Sequence, residues 1–462
     1  MIERLTSDSR RAAPGTAFFA WPGATADGRR YIGDAVKRGA SAVVWERGDF
    51  SPDFTREIPN AGVENLKEKA GFLAHEFYGR PSESLWTCGV TGTNGKTTCS
   101  QWVAAALAQG GEKAAVVGTL GAGFPGQLNP VANTTPDALQ THALLKDFRD
   151  QGAVAAAMEV SSHGLDQGRV NGVAFDCALF TNLTHDHLDY HRTMEAYGAA
   201  KAKLFETPGL ETAVINLDDS LGRELAQRTR ARVLGYGFSR DAFLTGERAG
   251  QNTIKIKTNS ESIEVAFPHI GAFNLSNALG VLGCLIARGI PFADAARRLE
   301  KLPPVPGRMQ AVGDRPLVVV DYAHTPDALE KVLAALKPVA RSRGGKLAVV
   351  FGAGGDRDPA KRPAMGAVAS RLADRVLLTS DNPRGEDPLA IIDAIRRGTT
   401  GKVAADPDRE SAIHAAIAEA GGTDVILVAG KGHETSQEIA GRRTPFSDLA
   451  VAAAALGRRR ER

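Results

Sequence analysis

The sequence predicts an α/β protein of three domains: a small α/β domain over 1–85, a central P-loop-type parallel-sheet domain over 86–306, and a Rossmann-like doubly wound C-terminal domain over 307–462. Three observations carry that expectation. The 462 residues exceed what one hydrophobic core usually organises. A glycine-rich turn over 89–98 separates a strand-like apolar run from a segment of helical composition, which is how a parallel sheet begins. Around Leu302-Pro303-Pro304-Val305-Pro306-Gly307 three prolines and a glycine break the pattern, marking a connection between domains.

In the first segment, short apolar runs at 17–21 and 40–45 alternate with polar helical stretches at 28–37 and 65–77. The second opens with the run 85–90, passes the glycine turn, and continues as a helix over 97–109 that stops at Gly110-Gly111. Further strand-like runs follow at 114–117, 154–160, 177–183 and 213–217. The third repeats the alternation: strands at 317–320, 346–351, 375–379 and 424–428, helices at 327–336 and 363–372. That order reads as a doubly wound sheet.

Composition narrows the class. Hydrophobic residues at 43% and charged residues at 24% describe a folded globular chain. Net charge is +3, and the one basic cluster, Arg458, Arg459, Arg460 and Arg462, reads as a solvated helix end; no nucleic-acid surface is expected. Cys88, Cys99, Cys177 and Cys284 lack C-x-x-C spacing and read as buried thiols in a reducing compartment. The first ten residues lack an apolar leader, and no run approaches the roughly 18 residues that cross a bilayer. The expectation is a cytoplasmic enzyme with no membrane partner.

Gly89-Val90-Thr91-Gly92-Thr93-Asn94-Gly95-Lys96-Thr97-Thr98 reads as a phosphate cradle. Its amides and the following helix N-terminus favour phosphate oxygens, Lys96 neutralises terminal phosphates, and the Thr97 hydroxyl can reach magnesium. It departs from G-x-x-x-x-G-K-[ST] in placing Val90 at the first glycine. Two further sites fall at predicted strand ends, where ligands of open parallel sheets collect. In the first, an apolar run delivers Glu159, an anion costly to bury without a cation, for which magnesium is the natural partner. The second, Thr181-Asn182-Leu183-Thr184-His185-Asp186-His187-Leu188-Asp189-Tyr190-His191, suits a nucleotide-metal loop; a solvated polar loop and a zinc site are the alternatives, and zinc lacks its usual ligand spacing.

These strings together resemble the Mur ligase family. Thr91 to Thr98 is similar to its variant phosphate loop, in which the Val90 departure is expected. The likeness continues through Asp8-Ser9-Arg10, Asp27-Gly28-Arg29-Arg30, Asn133-Thr134-Thr135-Pro136, Glu159-Val160-Ser161-Ser162-His163-Gly164, Asp321-Tyr322-Ala323-His324-Thr325-Pro326, Asp381-Asn382-Pro383-Arg384 and Gly430-Lys431-Gly432-His433-Glu434. The resemblance implies an ATP-dependent ligase. ATP phosphorylates the D-glutamate γ-carboxylate of UDP-N-acetylmuramoyl-L-alanyl-D-glutamate, an amine displaces the phosphate, and the product feeds peptidoglycan synthesis.

By the same resemblance, Gly92, Thr93, Asn94, Gly95, Lys96, Thr97, Thr98, Asn274, Asn277, Arg308, Asp321 and His324 bind ATP. Magnesium falls to Thr97, Glu159, His187 and a carbamylated Lys201, and Lys96, Glu159, His187 and Lys201 are the catalytic set. Ser7, Ser9, Ala24, Thr25, Ala26, Asn133, Thr134, Thr135, Ser161, Gln167 and Arg169 take the nucleotide-linked peptide. The family often has His-Gln where this chain has Ala24-Thr25, which leaves backbone contacts there.

The Asp-Asn-Pro-Arg segment is similar to the signature of the branch that adds meso-diaminopimelate. Arg357, Asp381, Asn382, Pro383, Arg384, Gly430 and Glu434 are expected around that amino acid. Diaminopimelate carries one carboxylate more than lysine, and a guanidinium fork meets a carboxylate with two parallel hydrogen bonds. Lysine-adding relatives usually lack that arginine. Folylpolyglutamate synthases share the phosphate loop, but the first 85 residues have no counterpart in them; a non-catalytic nucleotide switch would not need Arg357, Arg384 and Glu434. The expected state is a monomer.

Overall fold

The computed structural model describes residues 1–23, 26–48, 50, 58–250, 252–401 and 403–460. The expected contacts at Ala24 and Thr25, and Arg462 of the basic tail, lie outside the described residues.

The first segment is a four-stranded parallel sheet ordered Arg4–Thr6, Thr16–Ala20, Ala42–Glu46, Asn60–Val63. Successive side chains of a strand point to opposite faces, so Phe18 and Ala20 pack under helix Ile32–Lys37 while Ala17 and Phe19 pack under helix Leu66–Phe77. Both faces are covered, which is why the run reads as continuously apolar. Asp8 and Asp27 each cap a short 3-10 turn, accepting from the amide two residues on and pairing with Arg10 and Arg29.

The central sheet has eleven strands. Its parallel core runs, in spatial order, Leu244–Arg248, Arg232–Gly237, Thr212–Asn216, Cys177–Phe180, Trp86–Thr91, Ala155–Glu159 and Ala114–Gly118. Antiparallel strands extend it at both edges. Helices Lys96–Gln109 and Ala272–Ala287 bury Trp102, Leu107, Leu279 and Leu282 against Cys88, Val90 and Leu179 on one face, while Ala178 and Phe180 face the other core. The Trp102 indole N–H donates to the Pro303 carbonyl at 2.9 Å, fastening the proline-rich connection to the helix behind the phosphate turn.

The C-terminal sheet is ordered Gln310–Asp314, Leu317–Asp321, Val425–Ala429, Leu347–Phe351, Arg375–Leu378, Ala404–Ala405, with only the first strand antiparallel. Helices Pro326–Ser342, Lys361–Leu372 and Pro388–Arg396 cover one face; Arg409–Glu419 and Asp448–Arg460 cover the other. This is the doubly wound arrangement, with Val425–Ala429 inserted between two strands earlier in the chain. The Arg459 guanidinium bonds back to the Ile417 carbonyl, so the basic end of the last helix is docked on its neighbour. Among the described residues no helix is long and apolar enough to cross a membrane.

Candidate active site

Strands Trp86–Thr91, Ala155–Glu159 and Cys177–Phe180 deliver their carboxyl ends to one cleft of about 1670 Å³, whose far wall is Arg308, Tyr322 and His324 of the C-terminal segment. The phosphate turn demands its glycines. At Gly92 (φ 145°) an added Cβ would stand 1.9 Å from the Thr181 hydroxyl, and at Gly95 (φ 89°) 2.5 Å from Asn277 Oδ1. The neighbouring strand-end loop holds the turn: the Thr93 amide donates to the Asn182 carbonyl at 2.8 Å, the Asn94 amide to Asn182 Oδ1 at 3.0 Å, and the Thr181 hydroxyl to the Asn94 carbonyl at 2.6 Å.

Helix Lys96–Gln109 therefore starts with its unpaired amides facing the cleft and no acidic residue in its first turn. Lys96 Nζ curls over the turn, donating to the Gly92 and Thr93 carbonyls at 2.8 Å each, and burial holds its ammonium below the ordinary lysine value. Thr98 is buried behind it, lining the same cleft.

Glu159 is 1% exposed. Its carboxylate accepts from the Thr97 hydroxyl at 3.0 Å, the Thr119 amide at 2.8 Å and the Thr119 hydroxyl at 3.1 Å. Gly118 lets it lie there, since a Cβ at that position would be 2.2 Å from Glu159 Oε1. A buried carboxylate and a hydroxyl offered side by side are hard oxygen donors, the set magnesium takes. His187 sits in the left-handed region (φ 55°), its amide held by Asp186 Oδ1 at 2.9 Å. Burial pushes its imidazole down to about 4, so the ring is neutral near pH 7 and keeps a lone pair for a metal. For Asp186, burial works against ionisation, but His324, His187 and Lys361 together hold its carboxyl below the usual range.

Lys201 is 1% exposed, its Nζ donating to the Gly92 carbonyl at 2.8 Å and lying 4.3 Å over the Tyr197 ring. Burial, aided by Lys96, drives it well below the ordinary lysine value. Lys203 points outward to Asp166 at 3.2 Å.

Asn274 and Asn277 are buried at the start of helix Ala272–Ala287, Asn277 against the phosphate turn and Asn274 donating to the Ile270 carbonyl at 2.8 Å. Arg308 crosses from the C-terminal segment: Nη2 donates to Thr97 Oγ1 at 3.1 Å, and the guanidinium lies 4.3 Å over the Tyr322 ring. The Asp321 carboxylate accepts from the Met309 and Ala323 amides at 2.7 and 2.8 Å, bracing the turn that presents Arg308. His324 lines the cleft with Nδ1 2.8 Å from the Tyr322 carbonyl.

The expected peptide-binding residues fall into three places. Thr134 joins the cleft through Thr119, hydroxyl to hydroxyl at 3.0 Å. Thr135, Ser161, Gln167 and Arg169 form one network, in which Thr135 Oγ1 donates to Ser161 Oγ at 3.0 Å and Arg169 bonds the Thr135 carbonyl at 2.8 Å and Gln167 Oε1 at 2.7 Å. Asn133 is exposed beside them. Ser7, Ser9 and Ala26 belong to the first segment and do not line the cleft; the Ala26 carbonyl accepts from the Gly23 amide at 2.8 Å.

The expected amino-acid residues assemble where strands Arg375–Leu378 and Val425–Ala429 end. Asn382 Nδ2 donates to Glu434 Oε2 at 2.8 Å, and Lys431 Nζ, with no exposed side-chain surface, bonds both Asn382 Oδ1 at 2.9 Å and Glu434 Oε2 at 2.8 Å. Glu434 Oε1 has no hydrogen-bond partner among the described residues. The Pro383 carbonyl accepts from the Glu386 amide at 3.0 Å, and Arg384 Nη1 donates to the Gly355 carbonyl at 2.7 Å. Arg357 is exposed on the adjacent loop. Gly430 (φ 115°) packs against Asp381, whose Oδ2 would be 2.4 Å from an added Cβ.

Sequence reasoning gave no role of their own to Thr119, Tyr197 and Lys431, nor to Asn182, which stood only within the 181–191 string. Thr119 follows the apolar run 114–117 as Glu159 follows its own, so its strand-end position was the available signal; Lys431 stood inside the family-like 430–434 string but was not picked out, because lysine in such a loop ordinarily reads as solvated. The three histidines and two aspartates of the 185–191 loop do not converge: His185 and Asp189 are exposed, while His191 turns inward to Ser162 Oγ at 2.9 Å. All four cysteines are buried free thiols, and Cys88, Cys177 and Cys284 meet inside the apolar core.

Family models described as the Mur ligase family catalytic domain, the Mur ligase middle domain and the Mur ligase glutamate ligase domain match residues 1–75, 90–285 and 307–432. The chain is similar to the UDP-N-acetylmuramoyl-L-alanyl-D-glutamate--2,6-diaminopimelate ligases of Ralstonia nicotianae (51% identical, 96% of this chain and 91% of that protein) and Pseudomonas aeruginosa (50% identical, 99% and 95%). A solved structure of a ligase with the same name matches at 36% identity and a TM-score of 0.70, covering 99% of this chain and 95% of that one.

Proposed function

This chain belongs to the Mur ligase family, and from that footing we propose that it joins meso-2,6-diaminopimelate to UDP-N-acetylmuramoyl-L-alanyl-D-glutamate, converting ATP to ADP and phosphate. One oxygen of the D-glutamate γ-carboxylate attacks the terminal phosphorus, and ADP leaves. The diaminopimelate amine then adds to the acyl carbon and loses a proton, and the tetrahedral adduct expels inorganic phosphate to leave the amide. The reaction belongs to peptidoglycan precursor synthesis; the reading carries with it a monomer acting in the cytoplasm, where ATP and the nucleotide-linked peptide are both at hand.

The observation that carries this reading is the meeting at Thr97: its hydroxyl contacts the buried Glu159 carboxylate at 3.0 Å and the Arg308 guanidinium at 3.1 Å. Phosphate turn, anion and the C-terminal cation converge on one atom. A carboxylate and a triphosphate repel each other, so fixed positive charge at their contact stabilises the transfer more than the ground state. Lys96 exchanges two loop carbonyls for phosphate oxygens, and Arg308 is placed to follow charge onto the leaving group. Magnesium, held by Thr97, Glu159, His187 and the carbamate of Lys201, supplies the remaining positive charge when bound. Lys201 suits that role because its buried amine is held toward the neutral form, which adds to carbon dioxide with loss of a proton to give a carbamate anion.

For the acceptor, Glu434 Oε1 suits an ammonium and Arg384 the distal carboxylate. Lysine in the same place would leave the guanidinium without its partner, which is the stronger basis for discrimination. The test is phosphate release from ATP and magnesium with the muramoyl dipeptide and candidate amino acids offered singly. Release is expected only with dipeptide and diaminopimelate together; equal release with lysine would reassign the acceptor, and release that ignores both would indicate a nucleotide switch.

A further inference from the structure

The C-terminal segment buries a full ion pair that the reaction does not use. Arg409 and Asp448 have no exposed side-chain surface, and they meet fork to fork, Nε to Oδ1 at 2.7 Å and Nη2 to Oδ2 at 2.8 Å. The two residues open the helices Arg409–Glu419 and Asp448–Arg460. Two of the three remaining guanidinium hydrogens go elsewhere: Nη1 donates to the Ser380 carbonyl at 3.1 Å and Nη2 to the Ala429 carbonyl at 2.9 Å.

Those carbonyls have a particular address. Ser380 immediately precedes Asp381-Asn382-Pro383-Arg384, and Ala429 immediately precedes Gly430 to Glu434, so one guanidinium grips both entrances to the amino-acid pocket. The grip is reinforced around it. The Ser380 hydroxyl donates to the Pro407 carbonyl at 2.7 Å, tying the loop that leads into Arg409, and Asp381 Oδ2 lies 2.4 Å from where a Gly430 Cβ would stand. A buried ion pair is weak evidence for stability, since apolar residues of similar volume often replace one without loss. Fixing two loops relative to each other is a different task, because Arg384 and Glu434, one on each loop, must match the separation of a carboxylate and an ammonium on one small molecule.

We infer that Arg409, locked by Asp448, is a positioning pair for acceptor recognition, setting the spacing between Arg384 and Glu434 across the two loops. The inference rests on the diaminopimelate reading above. An ångström of misplacement in a binding constellation can cost about a hundredfold, while the ATP cleft, built on other strands, should not notice.

Two variants test it. The double change Arg409→Met with Asp448→Leu removes the pair without stranding a buried charge, and Arg409→Lys keeps a cation beside Asp448 but cannot reach two carbonyls and both carboxylate oxygens at once. Both are checked for folding by thermal melting, then assayed for KM toward each substrate and for preference between diaminopimelate and lysine. Expected for both variants is a KM for diaminopimelate raised about tenfold or more and a narrowed preference, with the KM for ATP within about twofold of wild type. Folded variants whose diaminopimelate KM and preference equal the wild type, or in which all KM values rise together, would overturn it by assigning the pair to stability alone. Wild-type protein assayed alongside separates the two levels: if it does not consume diaminopimelate, the functional reading fails and this inference falls with it.

Discussion

Lys201 and Lys203 stand two positions apart, and their surroundings separate two chemically identical side chains. Sequence alone could not choose between them except by likeness to relatives; the helix Met194–Ala202 decides, turning Lys201 under the phosphate turn and leaving Lys203 in water beside Asp166. Lys201→Met is expected to lower kcat by about a hundredfold or more, the scale of losing an electrostatic group at the transition state, with Lys203→Met within about twofold of wild type in the same phosphate-release assay. Comparable losses in both would remove Lys201 from its role. Arg384 makes a second residue-scale case. It occupies the left-handed region (φ 52°), where a long side chain costs on the order of 1 kcal/mol; its amide donates to the Glu438 carbonyl of strand Ser436–Ile439 at 3.0 Å, and its carbonyl accepts from the Ala440 amide just after that strand at 2.7 Å. Arg384→Ala is expected to cut kcat/KM for diaminopimelate by about a hundredfold while ATP binding, followed by nucleotide titration, stays within about twofold; unchanged choice between diaminopimelate and lysine in direct competition would refute the assignment.

Among the elements, those with plain periodicity were legible in the sequence and those defined by context were not. The strands at Thr16–Ala20, Trp86–Thr91 and Leu347–Phe351 are short apolar runs bounded by turns, and they appear within a residue or two of where the pattern puts them. Helix Ala272–Ala287 escaped because it is buried on nearly every side and shows no amphipathic stripe. The strands Leu244–Arg248, Thr253–Lys257 and Ser262–Ala266, toward one end of the sheet, escaped for the opposite reason, being half solvated and carrying charge. One element contact makes a pH prediction. Helix Ala138–Asp150 sets His142 against His75 of helix Leu66–Phe77, ring centroids 5.3 Å apart, with His142 Nε2 2.9 Å from the Asn171 carbonyl and Nδ1 buried without a partner. Burial holds this imidazole down to about 4, against an ordinary value of 6.5. Because the unfolded chain then binds the proton more readily, the stability that neutral His142 contributes is complete above about pH 6.5 and is lost as pH falls toward 4, on the order of 3 kcal/mol in all. Urea unfolding across that range should show a shallower pH slope for His142→Gln than for wild type; equal slopes would contradict it.

At the scale of the whole molecule, two side-chain hydrogen bonds among the described residues join the phosphate turn to the C-terminal segment: Asn94 Nδ2 to Asp327 Oδ2 at 3.1 Å and Arg308 to Thr97. The motifs that carry them were readable one by one, and the family resemblance put Thr97 and Glu159 on one metal; the direct contact of Arg308 with Thr97 was not readable, because residues 211 positions apart meet only once both sheets are built. The glutamyl carboxylate itself is expected to take the phosphoryl group within this convergence. Oxygen labelling measures that most directly. With both γ-carboxylate oxygens of the muramoyl dipeptide replaced by oxygen-18, turnover with ATP and diaminopimelate should release inorganic phosphate carrying one labelled oxygen, its fellow remaining in the new amide carbonyl. Unlabelled phosphate released in step with amide formation would contradict the acyl-phosphate route and the assignment of the cleft that rests on it.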